Sequence, residues 1–247
     1  MPSIIPDRFE GGVSVLHRSR TRRLNYNGDL VMKGYVITIM DMPESVKSAE
    51  RCIKSAGRYG FEVEIFPATT PEDNPSEYLL ERGISVKDFK EVYSRFDNCV
   101  AAFTSHYRLW EKCFSEKTSL VVLEHDAYFV DAIPNIPVQG VLSYGAPSYG
   151  KFRTPPSLGV NRLQSKEYLP GAHAYGVSPD AAEIMIRRAV SLACPTDLYI
   201  CNKNFPFVNE YYPWPVEARD SFTSIQTETG CLAKHSYQKD ASKYKII

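Results

Sequence analysis

Leu120-Val-Val-Leu-Glu-His-Asp126 is an apolar run that stops abruptly on three residues able to hold a metal ion. A continuous Val/Leu run of this length reads as a central strand covered on both faces. Open α/β sheets gather their ligands outside the carboxyl ends of such strands, which is where Glu124, His125 and Asp126 stand. On an extended chain, carboxylates at i and i+2 point the same way. They could then share one hard cation and leave its other positions for phosphate oxygens. The plain alternative is a polar loop after a strand, and the flanking sequence has to decide.

Upstream, Tyr35-Val-Ile-Thr-Ile-Met40 is a β-rich apolar run. Asp41-Met42-Pro43 opens a helix with proline near its first position. Val46, Ala49, Cys52 or Ile53, and Ala56 recur at helical spacing before Gly57 and Gly60 close the segment. Phe61-Glu-Val-Glu-Ile-Phe66 alternates as a second strand. Strand, helix, strand makes a parallel βαβ unit. Residues 67–98 form a long connection with one short helix. From Cys99, the stripe Val100, Phe103, Tyr107, Trp110 and Phe114 marks a helix whose apolar face is core packing.

After the central strand, Val138–Tyr144 reads as a strand, and residues 145–168 as a Gly/Pro/Ser/Tyr-rich loop of the kind that covers a substrate. His173–Ser178 reads as a strand. Ser178-Pro179-Asp180 caps a helix over Ala181–Val190. The last fifty residues are aromatic and broken by proline, ending in a basic tail with Lys234, Lys239, Lys243 and Lys245.

The 247 residues suit one large α/β domain. Twenty-nine basic residues balance 29 acidic ones, which argues against an extended nucleic-acid surface but leaves room for a local basic patch. No apolar run approaches the roughly 20 residues of a membrane span, so no integral membrane segment is expected. The N-terminus lacks the apolar core of a signal peptide, and the expected compartment is the cytoplasm. The six cysteines (Cys52, Cys99, Cys113, Cys194, Cys201, Cys231) show no C-x-x-C spacing and read as reduced core thiols. The expected organisation is an irregular basic leader (residues 1–33), one domain (34–230) and a basic tail (231–247).

These pieces together resemble glycosyltransferase family 25, the lipooligosaccharide and collagen sugar transferases. The resemblance is carried by Tyr35-Val-Ile-Thr-Ile-Met40, by Phe66-Pro-Ala-Thr-Thr70 and by Cys99-Val-Ala-Ala-Phe-Thr-Ser-His-Tyr-Arg-Leu-Trp-Glu-Lys-Cys113. Glu124-His125-Asp126, Gly171-Ala-His-Ala-Tyr175 and Pro195-Thr-Asp197-Leu complete it. It implies a GT-A type, Rossmann-like α/β fold, a mixed, mostly parallel sheet flanked by helices. It further implies an inverting, metal-dependent transfer from a nucleotide-sugar donor, with UDP-sugars favoured, to an acceptor hydroxyl. That acceptor would be a surface glycan, a protein or a hydroxymethylated DNA base.

A divalent cation, usually manganese in this family, would hold the donor diphosphate through Asp126 and Glu124. Thr38, Ser105, His106, Glu124 and His173 fall at donor-binding positions. Asp197 is the motif-matched candidate for the base that inversion requires, with Glu210 and Asp220 as unmatched competitors and a helix N-cap as its plain alternative. The chain departs from the family at His125, where the middle acid is expected, at Thr38, where Asn is expected, and at Ser45, where Arg is expected. Those departures motivate a second reading, a catalytically silent nucleotide-sugar-binding protein. A metal-dependent phosphoesterase or nucleotidyltransferase lacks the carboxylate and histidine cluster of a two-metal site.

Overall fold

The computed structural model describes residues 32–89, 95–148, 151–169 and 172–219. The leader up to residue 31, Gly171, Asp220, Cys231 and the lysine-rich tail lie outside the described residues, and so do the roles expected of them.

The strand–helix–strand opening is β1 (Lys33–Thr38), α1 (Pro43–Gly57) and β2 (Val63–Pro67). Pro43 stands at the first turn of α1, and Gly60 past its end adopts φ +69°, a left-handed conformation that glycine takes at little cost. The connection holds a short 3-10 turn at Pro71–Asp73, α2 (Pro75–Leu80) and another 3-10 turn at Lys87–Phe89. The amphipathic stripe becomes α3, which starts at Phe96 rather than Cys99 and runs to Glu116. Its N-cap, Arg95, makes no side-chain cap, so nothing local marks the earlier start.

The central strand is β3 (Leu120–Glu124), followed by β4 (Ala127–Phe129), β5 (Val141–Ser143), β6 (Gly159–Arg162) and β7 (Ala174–Val177). Then come α4 (Pro179–Leu192), α5 (Thr196–Tyr199), β8 (Val208–Tyr212) and β9 (Val216–Ala218). Ser178 caps α4 by accepting from the Ala181 amide at 3.3 Å, with Pro179 at the first position.

Seven strands form one sheet in the order β2-β1-β3-β7-β5-β8-β6. β1 is parallel to β2 and β3, and β5 to β8, whereas β7 runs antiparallel to both β3 and β5, and β6 to β8. The sheet is thus mixed with most strands in one direction, as expected of the α/β class. The expected covering loop at 145–168 contains the edge strand β6. A separate ribbon, β4 with β9, follows the central strand.

The period-two alternation of the strands sorts two cores. Tyr35, Ile37, Leu120, Val122, Val141, Tyr175, Val177 and Val208 pack beneath α3 and α4. Val36, Val63, Val121, Leu123, Leu142 and Ala174 pack against the α1 face with Ala49, Cys52 and Ala56. This double coverage is why β3 reads as an unbroken apolar run. Among the described residues, no helix is long and apolar enough to cross a membrane, and the described cysteines are free thiols.

Candidate functional site

Glu124 is the last residue of β3, and its alternation turns it to the α3 face. There the His106 ring, only 1% exposed, brings Nε2 to 3.2 Å from Glu124 Oε1 and Nδ1 to 2.9 Å from the Tyr175 hydroxyl. The two rings lie nearly parallel, 14° apart with centroids at 5.8 Å. Trp110 completes the chain by donating its indole N–H to the Tyr175 oxygen at 2.8 Å. Indole nitrogen only donates, so the Tyr175 oxygen accepts there and gives its own proton to His106 Nδ1. That assignment leaves the His106 proton on Nε2, aimed at Glu124.

Burial pushes the His106 imidazolium down to about 4, against the opposing pull of Asp197. His106 is therefore neutral at pH 7. Burial raises the Glu124 carboxyl above the usual carboxylate range, and the nearby His125 ring opposes it. Even so, 32% of the Glu124 side chain remains exposed, which keeps it reachable from solvent. Asp197 lies in the first turn of α5, whose N-cap is Pro195 without a side-chain cap. The plain capping role therefore does not fall to Asp197. Its charge acts on His106, Tyr175 and Lys166. Partial burial lowers the Lys166 ammonium, and Asp197 supports its charge.

The pair expected from i, i+2 spacing is arranged differently. The chain leaves β3 at Glu124 and turns over His125 and Asp126 before β4, so strand alternation does not extend to Asp126. Glu124 joins His106 on the α3 face, while the Asp126 charge bears on Cys52 of α1 and on His173. Among the described residues, no group of three or more His, Cys, Asp or Glu side chains is placed to hold a metal ion. A cation carried mainly by phosphates and one or two carboxylates needs no such protein cage.

His125 and Ser45, two of the departures from the family pattern, touch each other. The Ser45 hydroxyl accepts from the Ile39 amide at 2.9 Å and lies 3.0 Å from His125 Nδ1. The pair ties the amino end of α1 to the turn after β3.

Other expected donor contacts have structural duties. The Thr38 hydroxyl donates to the Val36 carbonyl at 3.0 Å and is fully buried. Ser105 donates to Ala101 at 3.0 Å and accepts from the Thr69 amide at 2.8 Å, fastening α3 to the segment after β2. Glu210 is fully buried and accepts from the Gln164 and Ser165 amides at 2.8 and 2.9 Å. His173, 1% exposed, precedes β7, and its carbonyl accepts from the Glu124 amide at 3.0 Å. Burial lowers its ring, opposed by Asp126 and by the Val216 carbonyl. That carbonyl is near enough to favour the charged ring, yet neither ring nitrogen makes a hydrogen bond of normal geometry among the described residues. Sequence reading misses Tyr175, whose buried polar tip is the only signal a strand aromatic offers, and takes Trp110 as core alone.

The folded His106 value near 4 lies below its ordinary 6.5, so protonation favours the unfolded chain. The stability due to its neutral form is complete above about 6.5 and lost as pH falls toward 4, about 3 kcal/mol in all. Glu124 shifts the other way, so the test is the difference in urea stability between wild type and His106→Gln. That difference should shrink as pH drops from 7 to 4.5. A second expectation concerns Gly145, where an added Cβ would run into the His173 ring. Gly145→Ala should cost about 1–3 kcal/mol through overpacking of a buried ring, read as a lowered midpoint in thermal unfolding.

With this geometry in view, residues 32–137 match the sequence model of glycosyltransferase family 25 (LPS biosynthesis protein). The match spans β1 to β4 and includes Thr38, Ser45, Ser105, His106 and Glu124 to Asp126, while His173, Tyr175 and Asp197 lie beyond it. No characterised protein matches the chain significantly in sequence. Among solved structures, the CTP:phosphocholine cytidylyltransferase of Streptococcus pneumoniae is 13% identical, with 75% of this chain and 92% of that chain covered at a TM-score of 0.35.

Proposed function

We propose that the chain is an inverting glycosyltransferase that moves a sugar from a nucleotide-diphosphate sugar, a UDP-sugar by preference, to an acceptor hydroxyl. The observation that carries this reading is the hydrogen-bonded meeting of Glu124, His106 and Tyr175 at the carboxyl end of β3, with the charge of Asp197 acting on His106 and Tyr175. The family match over its first half supports it.

Asp197 takes the proton of the attacking hydroxyl. As the acceptor oxygen bonds to the anomeric carbon from one side, the bond to the phosphate oxygen breaks on the other, and the nucleoside diphosphate leaves. Trp110, Tyr175 and His106 hold Glu124 in one orientation through a chain of donors, fixing it before substrate arrives. Asp126 would hold a divalent cation, manganese by the family's habit, which would supply Lewis-acid neutralisation of the donor's diphosphate. The acceptor is a hydroxyl of a surface glycan, a protein or a hydroxymethylated DNA base.

A catalytically silent sugar-nucleotide binder is the second reading, favoured by the commitment of Glu124 to His106 and of His125 to Ser45. Asp126→Asn and chelation separate the two. Donor turnover should fall to background in the variant and in excess chelator, with the unfolding transition retained. Full turnover in chelator contradicts the metal role, and absence of wild-type turnover with intact donor binding favours the silent protein.

A further inference from the structure

Among the described residues, three buried side chains on one side of the His106 network each hold a polar atom without a hydrogen-bond partner. They are Ser143 Oγ, Ser165 Oγ and Glu210 Oε2, on residues 1%, 3% and 0% exposed. Buried polar atoms left unpaired are costly and few in native proteins. Here the three are neighbours. Ser143, the last residue of β5, is in register with Tyr175 on one side and Glu210 on the other, so the three share a sheet face. Ser165 gives its amide to Glu210 Oε1 at 2.9 Å, beside the Gln164 amide at 2.8 Å. These two amides pin the carboxylate and leave its second oxygen as an acceptor.

We infer that Ser143, Ser165 and Glu210 form a subsite for the hydroxyl groups of a sugar ring. The inference rests on the glycosyltransferase reading and deepens it. Two hydroxyls that both give and take, set beside a carboxylate oxygen that only accepts, match the vicinal hydroxyls of a hexose. One carboxylate among neutral groups suits a polyol better than a cation, which gathers several charged oxygens. The place fits as well. β5 lies across β7 from β3, and both β3 and β5 end at the same edge, on Glu124 and Ser143. Glu210 then orients sugar instead of accepting a proton. The ring is either the donor's sugar or the acceptor's, and the shared chemistry is the hydroxyl set.

The test compares wild type with Ser143→Ala, Ser165→Ala and Glu210→Gln. Binding of UDP-galactose, UDP-glucose and GDP-mannose is measured by calorimetry against UDP and GDP alone. Binding of methyl galactoside and methyl glucoside to the diphosphate-loaded protein is followed by saturation-transfer NMR. Each alanine variant should weaken sugar binding about 3- to 10-fold and Glu210→Gln by more, roughly the worth of a neutral and a charged hydrogen bond. The bare diphosphates should bind unchanged. Loss confined to sugar nucleotides assigns the subsite to the donor, and loss confined to the methyl glycosides assigns it to the acceptor. Both uphold the inference. Alanine variants that keep wild-type affinity for every sugar overturn it, leaving ordered water as the partner of these atoms. A wild-type protein that binds neither diphosphates nor sugar nucleotides contradicts the glycosyltransferase reading first and removes the inference with it. The alanine substitutions delete hydroxyls that make no hydrogen bond among the described residues, so they test the subsite even where Glu210→Gln is poorly folded.

Discussion

Asp197→Asn should cut sugar transfer by roughly 100- to 10,000-fold, the usual share of a positioned general base, while donor affinity stays close to wild type. The split follows from when the interaction matters, because the proton moves only as the hydroxyl attacks. Asparagine is nearly the same size and caps a helix about as well as aspartate. Pro195 is the N-cap of α5 in any case, so loss of a cap cannot imitate loss of a base. The measurement is transfer rate and donor affinity on the same preparation. Near-normal transfer would move the base away from Asp197. Glu210 would be a poor successor, with one oxygen clamped by two backbone amides and the whole side chain buried.

Trp110→Ala should destabilise the protein by about 3–5 kcal/mol, the range for emptying a large aromatic from a core. Trp110 is fully buried, meets Phe103 edge-on at 5.5 Å and stacks on Tyr199 at the same separation. Its loss also strips the Tyr175 oxygen of a donor in a place water does not reach. Trp110→Phe separates the two contributions, keeping most of the packing and deleting the N–H, and should cost about 1–3 kcal/mol. Urea unfolding reads both. If the two substitutions cost the same, the indole donor matters more than the cavity.

Much of the fold is legible because burial and periodicity agree in the first half of the chain. β1, α1, β2 and β3 each carry a strong pattern, since each lies against a core on one or both faces. β7 is recognisable as a strand, but its antiparallel direction is not, because direction depends on which strands flank it. β6 escapes because an edge strand with the burial of Gly-Val-Asn-Arg has little apolar alternation to display. β8 and β9 sit in an aromatic, proline-broken run where strand and loop look alike.

At the site, His106 and Asp197 are identifiable as candidates from their motifs. The influence of Asp197 on His106 is not, because it depends on α5 packing against α3. The i, i+2 argument for Glu124 and Asp126 assumes extended backbone, and the turn at His125 and Asp126 removes that premise. Ser105 and Thr38 look like ligand contacts in a sequence, but short hydroxyl side chains readily satisfy nearby backbone instead.

In the proposed function, this carboxyl edge binds and turns over a nucleotide-diphosphate sugar. The most direct test is release of free nucleoside diphosphate from UDP-, GDP- and CMP-sugars by the full chain with manganese. CMP-sugars serve as the control that carries no diphosphate. Release from a diphosphate sugar, UDP-linked by preference, is the expected result, with a drop to background in Asp126→Asn. Neither binding nor release with any sugar nucleotide, by protein that unfolds cooperatively, would contradict it.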